Sequence, residues 1–248
     1  MRHPLKAVLV TVISVIAALF ALATPAYAKT IHVHPGQSIQ AAVNKANPGD
    51  TIIVEPGTYQ ELVEIQTDGI HLRGSGASPD GTVLEPPAGN KTNDCSMGDP
   101  SANNGICVVG SFQGGAPVKD VTVSGIMVQN FPSIGIVGLN TENLTVAHSF
   151  AAGNGQYGIA SFVGSHPRLL YNTATGAGEA GFYIGDQQDT EAFVSGNLAY
   201  GNAIGSFIRN ASHGGMSNNM WHDNCVGLLL QVVVRHLHGF IQELGALQ

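Results

Sequence analysis

A short apolar segment carrying a glycine returns through the second half of the chain at a nearly constant interval. No other feature limits the possible folds as much. The segments IGIVGL (134–139), YGIASF (157–162), AGFYIG (180–185), IGSFIR (204–209) and VGLLLQ (226–231) align on Gly135, Gly158, Gly181, Gly205 and Gly227, spaced 23, 23, 24 and 22 residues apart. Companion segments lie about 13 residues upstream: VTVSGI (121–126), LTVAHS (144–149) and AFVSGN (192–197). Asparagines recur between them, at Asn154, Asn202 and Asn224 and at Asn172, Asn197 and Asn219. Four or five residues cannot bury a face alone, but stacked copies bond strand to strand and share a core. Corners between such strands need positive φ, which Gly and Asn adopt at low cost. A leucine-rich repeat has a similar period, but its Leu and Asn pattern is missing, and a propeller blade needs roughly 40 residues. The expected fold is all-β, a single-stranded parallel β-helix of about 23-residue rungs.

The ends depart from the repeat. Arg2 and Lys6, an apolar run over 7–22 and the small-x-small pattern Ala26-Tyr27-Ala28 make residues 1–28 an expected secretion signal. The run is short for a membrane span, so a secreted or periplasmic protein free of membrane is expected after cleavage near Ala28. In SIQAAVNKA (38–46), Ile39, Ala42, Val43 and Ala46 share one helical face, a short amphipathic helix that would plug the amino end of the core. Residues 90–104 are polar and without apolar periodicity, an expected excursion from the solenoid. The solenoid is expected over 29–231. Residues 232–248 lack the signature, and Val234, Leu237, Ile241 and Leu244 suit either a helical cap or a foreign end.

Charge narrows the partners. The formal net charge of −7 becomes −9 when Arg2 and Lys6 are removed. An acidic surface argues against nucleic acid, which needs clustered cations. Any acidic sugar would be held by a few local Arg or Lys, or through a cation, and Ca²⁺ suits that role. Cys95 and Cys107 bracket a short polar stretch and are expected to pair in an oxidising compartment. Closing a loop that short stabilises by about 3 kcal/mol in the chain-entropy picture. Cys225 is left over and is expected as a small buried hydrophobe.

The stretch from Ile31 to Leu84, headed by IHVHPGQSIQAAVNKANPGDTIIVEPGTYQELVEI, closely resembles the amino-terminal cap and first turns of the pectin-lyase-like superfamily. More narrowly, the chain resembles bacterial right-handed β-helix-repeat proteins, among them copper-site maturation proteins and alginate epimerases. The resemblance implies a right-handed solenoid. It implies no single activity, because the superfamily holds lyases, hydrolases, esterases, epimerases and non-enzymes. Gly57-Thr58-Tyr59-Gln60-Glu61 matches the Gly-x-Tyr-x-Glu box of pectin esterases, and Gln188-Asp189-Thr190 echoes a second esterase motif. The esterase nucleophile box has only Ser206-Phe207-Ile208-Arg209-Asn210 as a counterpart, with Ser where the catalytic Asp belongs. The aspartate set of polygalacturonases and the Asp-Pro-His box of alginate epimerases are not found.

The repeat register supplies one constellation. Counting eight residues beyond each repeat glycine places His166, Asp189 and His213 on one exposed corner after Asn143, and two positions on, Arg168 and Glu191 would stack likewise. Such a column can serve proton transfer on a sugar ring, His oriented by carboxylate, or hold a divalent metal. Arg168 and Arg209 can bind a uronate carboxylate. The plainer alternative is a solvated corner whose opposite charges pair across rungs. His32 and His34 read as cap residues. Trp221, Tyr157 and Tyr183 are the aromatic candidates for sugar stacking.

These residues lead to an expected partner, extracellular polysaccharide, engaged by a monomer along a lateral face. As an enzyme (lyase, hydrolase or epimerase), its working residues would be His166, Asp189, His213 and Arg168. The rivals are a non-catalytic surface binder or adhesin and a metal-delivering protein of the copper-maturation kind.

Overall fold

The computed structural model describes residues 28–96, 98–99, 101–111 and 115–231; the expected signal up to Tyr27 and the tail 232–248 lie outside them. The described chain is a right-handed parallel β-solenoid, almost free of helix. After a first turn made of one strand and a short helix, each turn visits three parallel sheets. The first has eight strands: Thr30–Val33, Thr51–Val54, His71–Gly74, Thr122–Ser124, Thr145–Ala147, Arg168–Leu170, Phe193–Ser195 and Gly215–Ser217. The second, of seven, runs from Gly57–Gln60 to Met220–His222, and the third, also of seven, from Val63–Ile65 to Val226–Gln231.

The middle residue of each short first-sheet strand points inward: Val123, Val146, Leu169 and Val194 are all buried in one core. On the second sheet the equivalent inward residues are Ala151, Ala174 and Ala199. These small side chains let the wall approach the repeat glycines. A Cβ on Gly158 would lie 3.0 Å from Ala174 Cβ and 2.6 Å from Gly181 O. Four of the repeat glycines, Gly135, Gly158, Gly181 and Gly205, are therefore required by close packing rather than by positive φ, while Gly227 on the last described rung has room for a Cβ. Positive φ falls on the corner residues instead: Asp120, Asn143, His166, Glu191 and His213 enter the first sheet with φ between 49° and 58°. One left-handed residue redirects an extended chain sharply, and Asn, Asp and His tolerate it better than branched residues do.

The recurrent asparagines form inward ladders. Asn197 Oδ1 accepts from the backbone and side-chain amides of Asn172 (2.9 and 3.1 Å), while its own amide donates to Leu169 O at 2.8 Å. Asn219 repeats the arrangement one rung on. These contacts satisfy backbone groups that the corners strip from the sheets.

At the amino end, helix α1 (Ile39–Val43) is shorter than the nine-residue expectation, and Ser38 is its N-cap. Glu61 reaches it from the second turn, its carboxylate accepting from Ser38 Oγ (2.7 Å), Ile39 N (2.7 Å) and Gln40 N (3.1 Å). Tyr59 donates its hydroxyl toward Glu55 O at 3.0 Å. The Gly-x-Tyr-x-Glu box is thus occupied in joining the cap to the second turn. The excursion holds one 3-10 turn, Asp94–Ser96, and is tied by the Cys95–Cys107 disulfide, as expected.

At the carboxyl end every residue of Val226–Gln231 is exposed. Cys225 is also exposed, against expectation, because among the described residues no further rung stacks on it.

Candidate functional site

The corner entering the first sheet carries the sequence-predicted residues, but in a different register. Phe162 pairs with Gly185 and Gly185 with Arg209, while Arg168 pairs with Phe193 and Phe193 with Gly215. The connection from Gly185 to Phe193 is therefore two residues longer than those above and below it. Counting from the glycines carried that insertion into the column. Glu191, not Asp189, stacks between His166 and His213, and its N–H donates to Ser212 O at 3.2 Å. Arg168 does not stack on Glu191: its guanidinium lies over the Phe193 ring, 5.2 Å from the centroid.

Asp189 bulges from the insertion and still reaches the group assigned to it. Its Oδ1 lies 2.7 Å from His213 Nδ1, and its backbone N–H donates to Ser212 Oγ at 3.0 Å. His166 Nε2 lies 3.3 Å from Glu191 Oε2. The corner therefore presents two His–carboxylate pairs on neighbouring rungs. Ser212 and the Glu191 pairing were missed; only a count of the longer turn 186–192 would have revealed them. All four side chains are open to solvent, with 71% and 73% exposure for His213 and Asp189. A hollow of about 400 Å³ adjoins His213, but Ile208, Met216, Leu228 and Leu230 line it, so it is the uncovered end of the core.

The other candidates are placed elsewhere. Tyr157, Tyr183 and Phe207 lie on the outer side of the third sheet, each 8% exposed or less, in a cluster that includes Phe162. Tyr183 and Phe162 stack at 4.6 Å, and Tyr183 donates its hydroxyl to Asp186 Oδ2 at 2.9 Å. Burial pushes both phenols far above their usual range, with the Glu179 carboxylate adding to it at Tyr157 and Asp186 at Tyr183. They are neutral and covered, unlike stacking platforms for sugar. Trp221 is half-buried against the core and donates Nε1–H to Ser206 Oγ at 2.8 Å. Ser206 is itself buried, which removes it as a nucleophile. Arg209 is drawn to Asp186 at 3.8 Å. His32 pairs with Glu55 at 3.1 Å. Among the described residues, no three His, Cys, Asp or Glu side chains gather as a metal site.

Several solved structures are similar to this chain at low identity. Pectin methylesterase PemA from Erwinia chrysanthemi is 13% identical, with 78% of this chain and 81% of that one covered and a TM-score of 0.41. Pectate lyase Pel9A is 16% identical over 84% and 77%, with a TM-score of 0.47. The A-module of the Azotobacter vinelandii mannuronan C-5 epimerase AlgE4 is 16% identical over 78% and 76%, with a TM-score of 0.40. At these scores the likeness carries neither activity nor substrate across. No curated protein sequence matches. Residues 59–226, more than half the chain, match the right-handed β-helix region. With its three parallel sheets and that match, the chain belongs to the right-handed β-helix family.

Proposed function

We propose that this is an exported protein that binds extracellular polysaccharide along the side of its solenoid, at the corner carrying His166, Asp189, Glu191 and His213. The observation that carries the reading is the pair of exposed His–carboxylate contacts on adjacent rungs. They offer hydrogen-bond donors and acceptors at a step of about 4.8 Å along the axis. That step is close to one sugar residue of an extended chain, and sugar hydroxyls need both kinds of partner. The corner side chains are open to solvent, which suits a binder better than a water-excluding active site.

One observation favours an enzyme as the second reading. Asp189 beside His213 Nδ1 holds the imidazole in place and leaves Nε2 facing outward, the disposition of a general base. Both readings are tested on pectin, alginate, hyaluronan and neutral glucans, with and without Ca²⁺, by scoring binding together with unsaturated and reducing-end products. Binding without product, weakened roughly tenfold by Asp189→Ala as expected for a lost polar contact, is the expected result. Product formation abolished by Asp189→Ala would establish the enzyme instead. A folded protein that binds none of the panel would rule out both.

A further inference from the structure

Asp50 is 2% exposed, and a carboxylate taken that far out of water is ordinarily paired with a cation. Among the described residues it is in no ion pair. Two backbone amides hold it instead. Its Oδ2 accepts from Asn47 N at 2.9 Å across the turn 47–50, and its Oδ1 accepts from Lys29 N at 2.7 Å. Those amides, Asn47 first, keep its carboxyl below the usual carboxylate range against the opposing effect of burial, so it is ionised at neutral pH. Asp50 also leads into the strand Thr51–Val54: Thr51 N donates to Lys29 O at 2.8 Å, and His71 N donates to Asp50 O at 3.0 Å. Turn and sheet together fix the carboxylate beneath an exposed stretch, Ala28, Lys29 and Thr30.

Lys29 is also the residue that follows the small-x-small pattern Ala26-Tyr27-Ala28. Two independent features therefore meet at one nitrogen: a buried carboxylate without a cation, and a peptide nitrogen that cleavage would turn into one. Hydrolysis of the Ala28–Lys29 bond adds one water. The new carboxylate leaves on Ala28, and the new α-ammonium stays on Lys29. That ammonium offers three N–H donors and a positive charge where the peptide offers one N–H and no charge. The strand it begins, Thr30–Val33, is the edge of the first sheet and pairs on one side, with Thr51–Val54. Such an end is among the parts of a fold that open at least cost.

We propose that Asp50 is the receptor for a new amino terminus: removal of the signal sets the Lys29 α-ammonium on the Asp50 carboxylate, and this ion pair locks the first strand onto the solenoid after export. The proposal rests on the export part of the reading above and not on its glycan. Before cleavage the same carboxylate holds one neutral amide at that position, so the uncut chain forms this turn but holds it less firmly. A charge-assisted contact is stronger than its neutral counterpart, and here it replaces one in a site already built.

The test passes the full chain through a secretion host and reads the first residue of the exported product by intact mass; Lys29 is expected. Its α-amine is then selectively acetylated. Acetylation restores the neutral N–H of the uncut chain without the signal, so only the charge is lost. The thermal midpoint is expected to fall by roughly 2–4 °C, and amide exchange over Thr30–Val33 to quicken. In Lys29→Ala, which removes the side-chain charge and keeps the α-amine, acetylation should cost the same. In Asp50→Asn it should cost nothing, and if that variant does not fold, the unsubstituted and Lys29→Ala proteins still decide the matter. An exported product that starts at another residue would overturn the proposal while export stands. A chain that is neither exported nor cut would remove the export reading with it. A Lys29 terminus whose acetylation changes neither readout, or changes both equally in Asp50→Asn, would overturn the ion pair.

Discussion

Glu61 sits where three donors converge, and its role there is mechanical. It holds the start of α1, a helix of only five residues, onto the second turn. Replacing it with Ala leaves the Ile39 and Gln40 amides without their acceptor, at a cost of about 1–2 kcal/mol. Glu61→Gln retains an acceptor oxygen and should lose less; urea denaturation of the two variants checks the order. The same residue shows how a motif misleads. Gly57–Glu61 matches an esterase box letter by letter, yet only the folded chain shows Glu61 facing α1 and Tyr59 facing backbone carbonyls. At Asp189 the difficulty was arithmetic. Its contact with His213 is real, but the partner of His166 is Glu191, because a surface insertion shifts the count without disturbing the core.

Among the elements, the inward ladders tie one turn to the next. Asn197 is buried, accepts two hydrogen bonds from Asn172 and donates to Leu169 O and Asn219 Oδ1. Asn197→Ala strands those partners in a dry interior, and a loss of about 2–3 kcal/mol is expected. It should appear as a lower urea midpoint with an unchanged slope. The recurrence of Asn was visible in the sequence because the same corner is built repeatedly. The direction of each amide was not, since that depends on the rung stacked against it. Likewise, the repeat glycines were legible as a period, while their cause emerged only from the approach of Ala151 and Ala174 to Gly158.

Across the whole molecule the two ends differ. The amino end is closed by α1, whereas the described chain stops at a strand whose residues are all exposed, Leu230 at 65%. A solenoid is held by nearest-neighbour interfaces, so its uncovered end opens at least cost. Amide hydrogens of Val226–Gln231 should therefore exchange faster than those of Tyr157–Phe162, which has neighbours on both sides. Equal protection, measured by hydrogen exchange, would show that the last rung is covered in solution. The sequence by itself determined the architecture: an interval of about 23 residues with short apolar runs, and without the leucine-rich pattern, calls for a stack of strand-bearing coils around a shared core, and the disulfide lay within reach of its own loop. Tertiary structure alone decided what lines the surface. Neighbours there come from rungs more than twenty residues away, and one insertion of two residues resets which side chains meet. For that reason the corner pairs and the covered aromatic cluster could be read only once the strands were in register.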